Sequence, residues 1–317
     1  MDRLRGIAVL LVIVWHAVSI PTFFGLPMPR TVELVNDALS PFRIPALLVL
    51  SGLLLHESLR KPPVRYYVGK LANIGWPLLV WGAIYLLANP GVEGGTIEYW
   101  LGGSYLWYLF VVLACYVIGP VVRWVPPLLV AAVLIAALLL TPSPHALIAP
   151  ILEYGPYFFL GAAGRPLARR VLQAPGWLVT IGALFAVSGS VFSTLAYGYS
   201  PRIHVVGLPV SLIGIACAAW ALARMRRAST LEWVGRHSLH FYVVHFPVMV
   251  VACRFGVMDL PAPLAYLLLL ALGVGVGAVL AAYLPGAPLF RPPMPASSAH
   301  RRTTPTRTAF RSRRDEG

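Results

Sequence analysis

The sequence predicts an all-α fold, a polytopic membrane helical bundle of about ten transmembrane helices. Three observations predict it. The chain of 317 residues is 58% hydrophobic and only 11% charged, where soluble globular proteins carry roughly 25% charged residues. Its mean hydropathy is +0.76. Its apolar residues gather in runs of the length that a hydrocarbon core about 30 Å thick demands of a helix.

The runs lie near 4–24, 41–56, 71–89, 105–122, 125–141, 146–164, 176–197, 204–222, 237–256 and 262–284. The first opens almost at Met1, lacks a small-residue cleavage site and reads as a retained signal-anchor helix. The second is short. The fourth and fifth are separated only by "VRWVPP", where Pro126 and Pro127 cannot continue a helix. Trp76, Trp107, Trp124, Trp177 and Trp220 fall near span ends, where amphipathic rings favour the membrane interface. These spans make one membrane domain, 1–286. The Arg/Ser/Thr/Pro-rich remainder, 287–317, has too little apolar surface to fold and is expected to be a disordered basic tail attracted to anionic lipid.

The net charge is +14. Placing the N-terminus in the cytoplasm puts 21 of the 25 basic residues on that side and leaves Arg30, Arg43, Arg202 and Arg254 outside. This asymmetry follows the positive-inside rule and, with an even number of spans, returns the C-terminus to the cytoplasm. Topology therefore accounts for the basic excess, and no nucleic-acid partner is expected. The Arg-rich, Ala/Pro/Gly-rich composition points to a bacterial cytoplasmic (inner) membrane. Cys115, Cys217 and Cys253 sit in apolar stretches without CxxC spacing, so neither a disulfide framework nor a metal site is expected.

Against this apolar background, ionisable groups inside spans mark function. The opening stretch "MDRLRGIAVLLVIVWHA" sets Arg5 and His16 eleven residues apart, about 1100° of rotation, so they share one helix face roughly 16 Å apart along the axis. That stripe has a cation at the membrane boundary and an imidazole near mid-depth. "GRHSLHFYVVHFPVMV" places His245 at a similar depth, and "ALIAPILEYGPYFFLG" contains Glu153. "FRIPALLVLSG" brings Arg43 in from the opposite side and Ser51-Gly52 toward the inner end, where small residues let helices approach closely. From these residues alone, an enzyme and a proton-coupled glycan transporter or flippase fit equally well. A scaffolding subunit is a third reading.

The blocks also match a family. "RLRGIAVLLVIVWH" resembles the Arg-x10-His signature of the acyltransferase-3 family of membrane-bound acyltransferases. "FRIPALLVLSGLLL", "LWYLFVVLACYVI", "PYFFLGAAGR" and "VGRHSLHFYVVHFPV" are similar to its later segments, in the family's order. Together they cover the chain from Arg3 to about Leu284. Where the family often has Arg-x-x-Arg, this chain reads "KLAN", Lys70 to Asn73. The resemblance implies transfer of an acyl group, acetyl in most members, from cytoplasmic acyl-CoA to a hydroxyl of a glycan, a lipid-linked sugar or another small-molecule acceptor, without a metal. It implies His16 as the catalytic imidazole and Arg5 at the donor entrance; from the buried residues themselves, Glu153 and His245 are the candidates to orient His16. Arg60, Lys61, Arg65 and Lys70 offer further cations to the donor phosphates. Arg43, Ser51 and Tyr242 are the candidates for substrate contact.

Overall fold

Prolines and glycines set the limits of the helices. Pro126 adopts φ −54° and ψ 129°, and Pro127 takes the first helical position after it, where a missing N–H costs nothing. Gly256, at φ +97°, turns the chain where α14 has ended. The computed structural model describes residues 1–89, 92, 94–197, 204–226 and 229–293. Among these it contains fifteen α-helices and no strand: α1 Asp2–Phe23, α2 Arg30–Ala38, α3 Ile44–Leu53, α4 Leu55–Leu59, α5 Pro63–Lys70, α6 Trp76–Ala88, α7 Trp107–Val121, α8 Pro127–Leu140, α9 Ala149–Gly164, α10 Ala168–Gln173, α11 Gly176–Tyr197, α12 His204–Arg224, α13 Ser229–Arg236, α14 Ser238–Arg254 and α15 Ala262–Tyr283.

Every expected span has a helix at its position, but the helices differ in reach. Six helical runs among the described residues are long and apolar enough to cross a membrane: Asp2–Phe23, Arg30–Leu59, Pro63–Ala88, Gly176–Tyr197, Gly207–Arg224 and Ala262–Tyr283. The short second span thus belongs to a run of 30 residues, bent at Arg43, whose ψ is −85°. The third run contains a π-helical stretch, Leu71–Gly75. By contrast α7, α8, α9 and α14 have 15, 14, 16 and 17 residues. At ~1.5 Å per residue they cover about 21–26 Å, less than the ~30 Å of a hydrocarbon core.

The first helix is central. It packs against α3, α12, α13, α14 and α15, and its Ala8, Val9, Ile13 and Ala17 are at most 1% exposed. A second apolar cluster joins α3, α7, α8 and α9 through Leu48, Val111, Cys115 and Phe158. Toward the outside, α8 and α11 present large apolar side chains such as Leu140 and Leu184, 82% and 66% exposed, as helices bathed in lipid do.

Two of the family-like blocks owe their glycines to packing. A Cβ on Gly235 would overlap the backbone oxygen of Asp2, and one on Gly52 would overlap that of Phe158. Backbone therefore meets backbone where α13 crosses the start of α1 and where α9 crosses α3, and only glycine fits. Two prolines within helices have matching partners. Pro247 lacks the N–H that would bond Val243, and Tyr105 Oη donates to that freed carbonyl at 2.8 Å. Pro120 frees Tyr116 in the same way, and Tyr66 Oη donates to its oxygen at 2.7 Å. In a hydrocarbon environment such carbonyls need an internal donor.

The segment after α15 docks on the bundle. Trp76 Nε1 and Trp81 Nε1 donate to the carbonyls of Pro288 and Leu289 at 2.6 and 3.0 Å, and Phe290 is 1% exposed. The composition places residues 287–293 in the tail, yet they are packed against α6 and α14. The rest of the expected tail, 294–317, and Arg202 lie outside the described residues.

Candidate functional site

The site begins where α1 passes α14. His16 and His245 face each other across this contact, with His245 Nε2 3.1 Å from His16 Nδ1 and ring centroids 4.8 Å apart. Each ring also bonds its own helix one turn earlier: His245 Nδ1 to Phe241 O at 3.0 Å and His16 Nδ1 to Val12 O at 2.9 Å. A carbonyl has no proton to give, so His245 Nδ1 carries the hydrogen and donates. In its neutral form His245 then presents a lone pair at Nε2. His16 Nδ1 in turn donates to that lone pair, shared with Val12 O. The consequence is chemical: the tautomer of His16 is set, and its Nε2 is left with a lone pair and no proton. Phe246 packs edge-on against the His16 ring at 5.2 Å and stacks on Tyr105 at 4.9 Å, which limits rotation of the imidazole.

His16 lines a cavity of about 350 Å³ together with Trp15, Arg43, Trp107, Glu153 and Tyr154. Arg43 enters it from the bend before α3 and is 5% exposed. Its Nη2 donates to Asn36 Oδ1 at 2.9 Å, and the guanidinium lies 5.7 Å from the centroid of the Trp15 ring. Glu153 comes from α9. One small space therefore holds a proton acceptor, a buried cation, a carboxylate and several aromatic walls. That set suits a neutral, hydroxyl-bearing molecule held by hydrogen bonds and ring stacking.

A second cavity, about 390 Å³, lies toward the other end of α1. Arg5, Lys61, Arg65 and Lys70 line it, with Asn73, and among the described residues no carboxylate lines it. Lys70 Nζ is 3.1 Å from Ser58 Oγ and sits 3.3 Å above the centroid of the Tyr116 ring. Arg5 is 3.8 Å from Asp2 Oδ1, both partly exposed. Four cations from two helices and a loop converge on one space, which attracts a polyanion. Both positions of the "KLAN" stretch that stand where the family has arginines, Lys70 and Asn73, face this cavity.

The residues singled out in the sequence are thus divided. His16, Arg43 and Glu153 line one cavity, and His245 stands behind His16. Arg5, Lys61, Arg65, Lys70 and Ser51 line the other, where Ser51 Oγ donates to Leu47 O of its own helix at 2.8 Å. Tyr242 borders both. Arg60 is not on either wall: it is exposed and 3.4 Å from Glu57 Oε2. Along α1 the shared face is visible, with Arg5 and Val9 on the basic cavity and Val12 and His16 on the other. Sequence reasoning passed over Asn36, Tyr105 and Tyr108, and took Trp107 only as an interfacial ring. The recurrence of Tyr105, Tyr108 and Tyr116 at helical spacing was the available signal. The three cysteines are free, and no group of three or more His, Cys, Asp or Glu side chains that could hold a metal occurs among the described residues.

A family model described as an acyltransferase domain, that of the acyltransferase-3 family, matches residues 1–282. No curated protein and no solved structure matches the chain.

Proposed function

Because the chain belongs to the acyltransferase-3 family and is built of membrane-length apolar helices, we propose that it transfers an acyl group, acetyl, from cytoplasmic acyl-CoA to a hydroxyl of a glycan, a lipid-linked sugar or another small-molecule acceptor. The observation that carries this reading is the His16–His245 contact, which leaves a basic nitrogen on the wall of a polar cavity next to a cavity lined by four cations.

Each part has a role in the reaction. Arg5, Lys61, Arg65 and Lys70 hold the donor's phosphates, guanidinium forks being suited to paired phosphate oxygens. The donor's arm extends along the Arg5 face of α1 toward His16. Arg43 and Glu153 orient the acceptor. His16 Nε2 removes the proton of the acceptor hydroxyl as its oxygen attacks the thioester carbonyl. A C–O bond forms, the C–S bond breaks, and the proton held at Nε2 passes to the departing thiolate. His245 keeps the imidazole in the tautomer that can accept that proton, the part a buried orienting group plays beside other catalytic histidines.

The test is free-thiol release from acetyl-CoA by protein purified in detergent, with a lipid and glycan extract of bacterial membranes as the acceptor pool. The wild type releases thiol, and His16→Ala does so about 10²–10⁴-fold more slowly, the usual contribution of a general base. A transporter of a finished glycan consumes no thioester, so a wild type inert in this assay would overturn the proposal.

A further inference from the structure

The two cavities are stacked end to end. Val9 on the basic cavity and Val12 on the His16 cavity lie three residues apart on α1. Leu47 and Ile44 are related in the same way on α3, running in the opposite direction, and Tyr105, in the turn before α7, lines the His16 cavity while Tyr108, within α7, lines the basic one. Three helical residues rise about 4.5 Å, so on α1 and α3 less than one turn separates the spaces. On the fourth wall, α14, Ser238 lines the basic cavity and His245 stands behind His16. Between them, Tyr242 is the one residue among those described that lines both cavities.

Tyr242 is built as a plug. It is 4% exposed, packs edge-on against Tyr108 at 5.1 Å, and its hydroxyl donates to Tyr105 O at 3.1 Å. The seat is fixed, because Tyr105 is tied by its own hydroxyl to the Val243 carbonyl that Pro247 frees. The ring that closes the seat is secured at its tip by backbone hydrogen bonds to Tyr105 and Tyr108 and lines a cavity on either side. A donor thioester that starts among the cations must pass this ring to reach His16.

We propose that Tyr242 plugs the passage between the two cavities and that its ring sets the largest acyl group the protein transfers, the second half of this resting on the acyl-CoA reading above. A two-carbon group passes with a small displacement of the ring. A longer chain needs the ring out of the way.

Tyr242→Ala and Tyr242→Phe separate the ring from its hydroxyl. Thiol release is compared with acetyl-CoA and hexanoyl-CoA after thermal melting shows each variant folded. Tyr242→Ala raises the hexanoyl-to-acetyl ratio of kcat/KM by about tenfold or more, the scale on which pockets discriminate added methylenes. Tyr242→Phe, which keeps the ring, leaves that ratio at the wild-type value. An unmoved ratio in Tyr242→Ala, or an equal rise in Tyr242→Phe, overturns the size limit. A second measurement needs no turnover. Ser40→Cys, on the wall of the His16 cavity, is placed in a chain with Cys115, Cys217 and Cys253 replaced by alanine, in sealed vesicles of one orientation. A sulfonate-bearing thiosulfonate reagent added on the Arg5 side labels this cysteine with Tyr242→Ala and not with Tyr242 intact. Labelling past the intact tyrosine, or none past alanine, overturns the plug. Labelling as expected with no thiol release from any acyl-CoA, wild type included, sinks the donor reading and leaves the plug standing.

Discussion

Replacing His245 by leucine isolates what the second imidazole contributes. The change removes the acceptor 3.1 Å from His16 Nδ1 but leaves Val12 O at 2.9 Å. His16 therefore keeps one bond that holds its tautomer, and what His16 loses is a single neutral hydrogen bond. Such a bond is worth about 0.5–1.5 kcal/mol net, or roughly a two- to thirteenfold loss of rate. Leucine is close enough in volume to fill the space of a side chain 1% exposed, which keeps the packing penalty small. His245→Gln carries an amide oxygen near the position of Nε2 and recovers most of the loss. His16→Ala loses far more, about 10²–10⁴-fold, and the double variant His16→Ala/His245→Leu falls no lower than His16→Ala, since a positioning group has nothing left to position. The assay is thiol release from acetyl-CoA under one set of conditions for the wild type and all four variants. A His245→Leu loss as large as that of His16→Ala, or a further drop in the double variant, would refute the positioning role, because His245 would then be handling the proton itself.

Two other outcomes follow from the same geometry. Arg65→Gln removes one cation from the basic cavity; a hydrogen bond to a charged group contributes about 1.5–3 kcal/mol, so KM for acetyl-CoA rises about tenfold or more while kcat changes little, and a fall in kcat at constant KM would place this cation elsewhere in the reaction. Gly235→Ala drives a Cβ into the backbone oxygen of Asp2, with no flexible side chain to yield; the overpacking costs about 1–3 kcal/mol and lowers the melting temperature, whereas Gly164→Ala, which meets nothing within 4 Å, leaves it in place.

Several parts of the site could be read from the chain because they depend on one helix or one solvent. The apolar runs declare the membrane. The eleven-residue interval puts Arg5 and His16 on one face of α1, and the structure keeps both beside the stacked cavities. Pro126-Pro127 breaks a helix wherever it occurs. Other parts were not legible there. Ser51-Gly52 reads as a small-residue packing site, but only the crossing of α9 over α3 shows which backbone the glycine meets. Arg60 and Arg65 share one short basic stretch, yet the first pairs with Glu57 and the second faces the cavity.

The amino-acid order by itself determined that this is an all-helical membrane protein, which blocks tie it to its family, and which ionisable groups are buried in apolar runs. Tertiary structure alone decided that His245 meets His16 across 229 residues of chain, that the cations and the imidazole line separate spaces, and that Tyr242 stands between them. The physical reason is that a helix in lipid is apolar around most of its circumference, so its sequence carries no stripe telling which side faces a neighbour. That rotation is fixed by small-residue contacts and by hydroxyls seeking freed carbonyls, and both partners of such a contact come from distant parts of the chain.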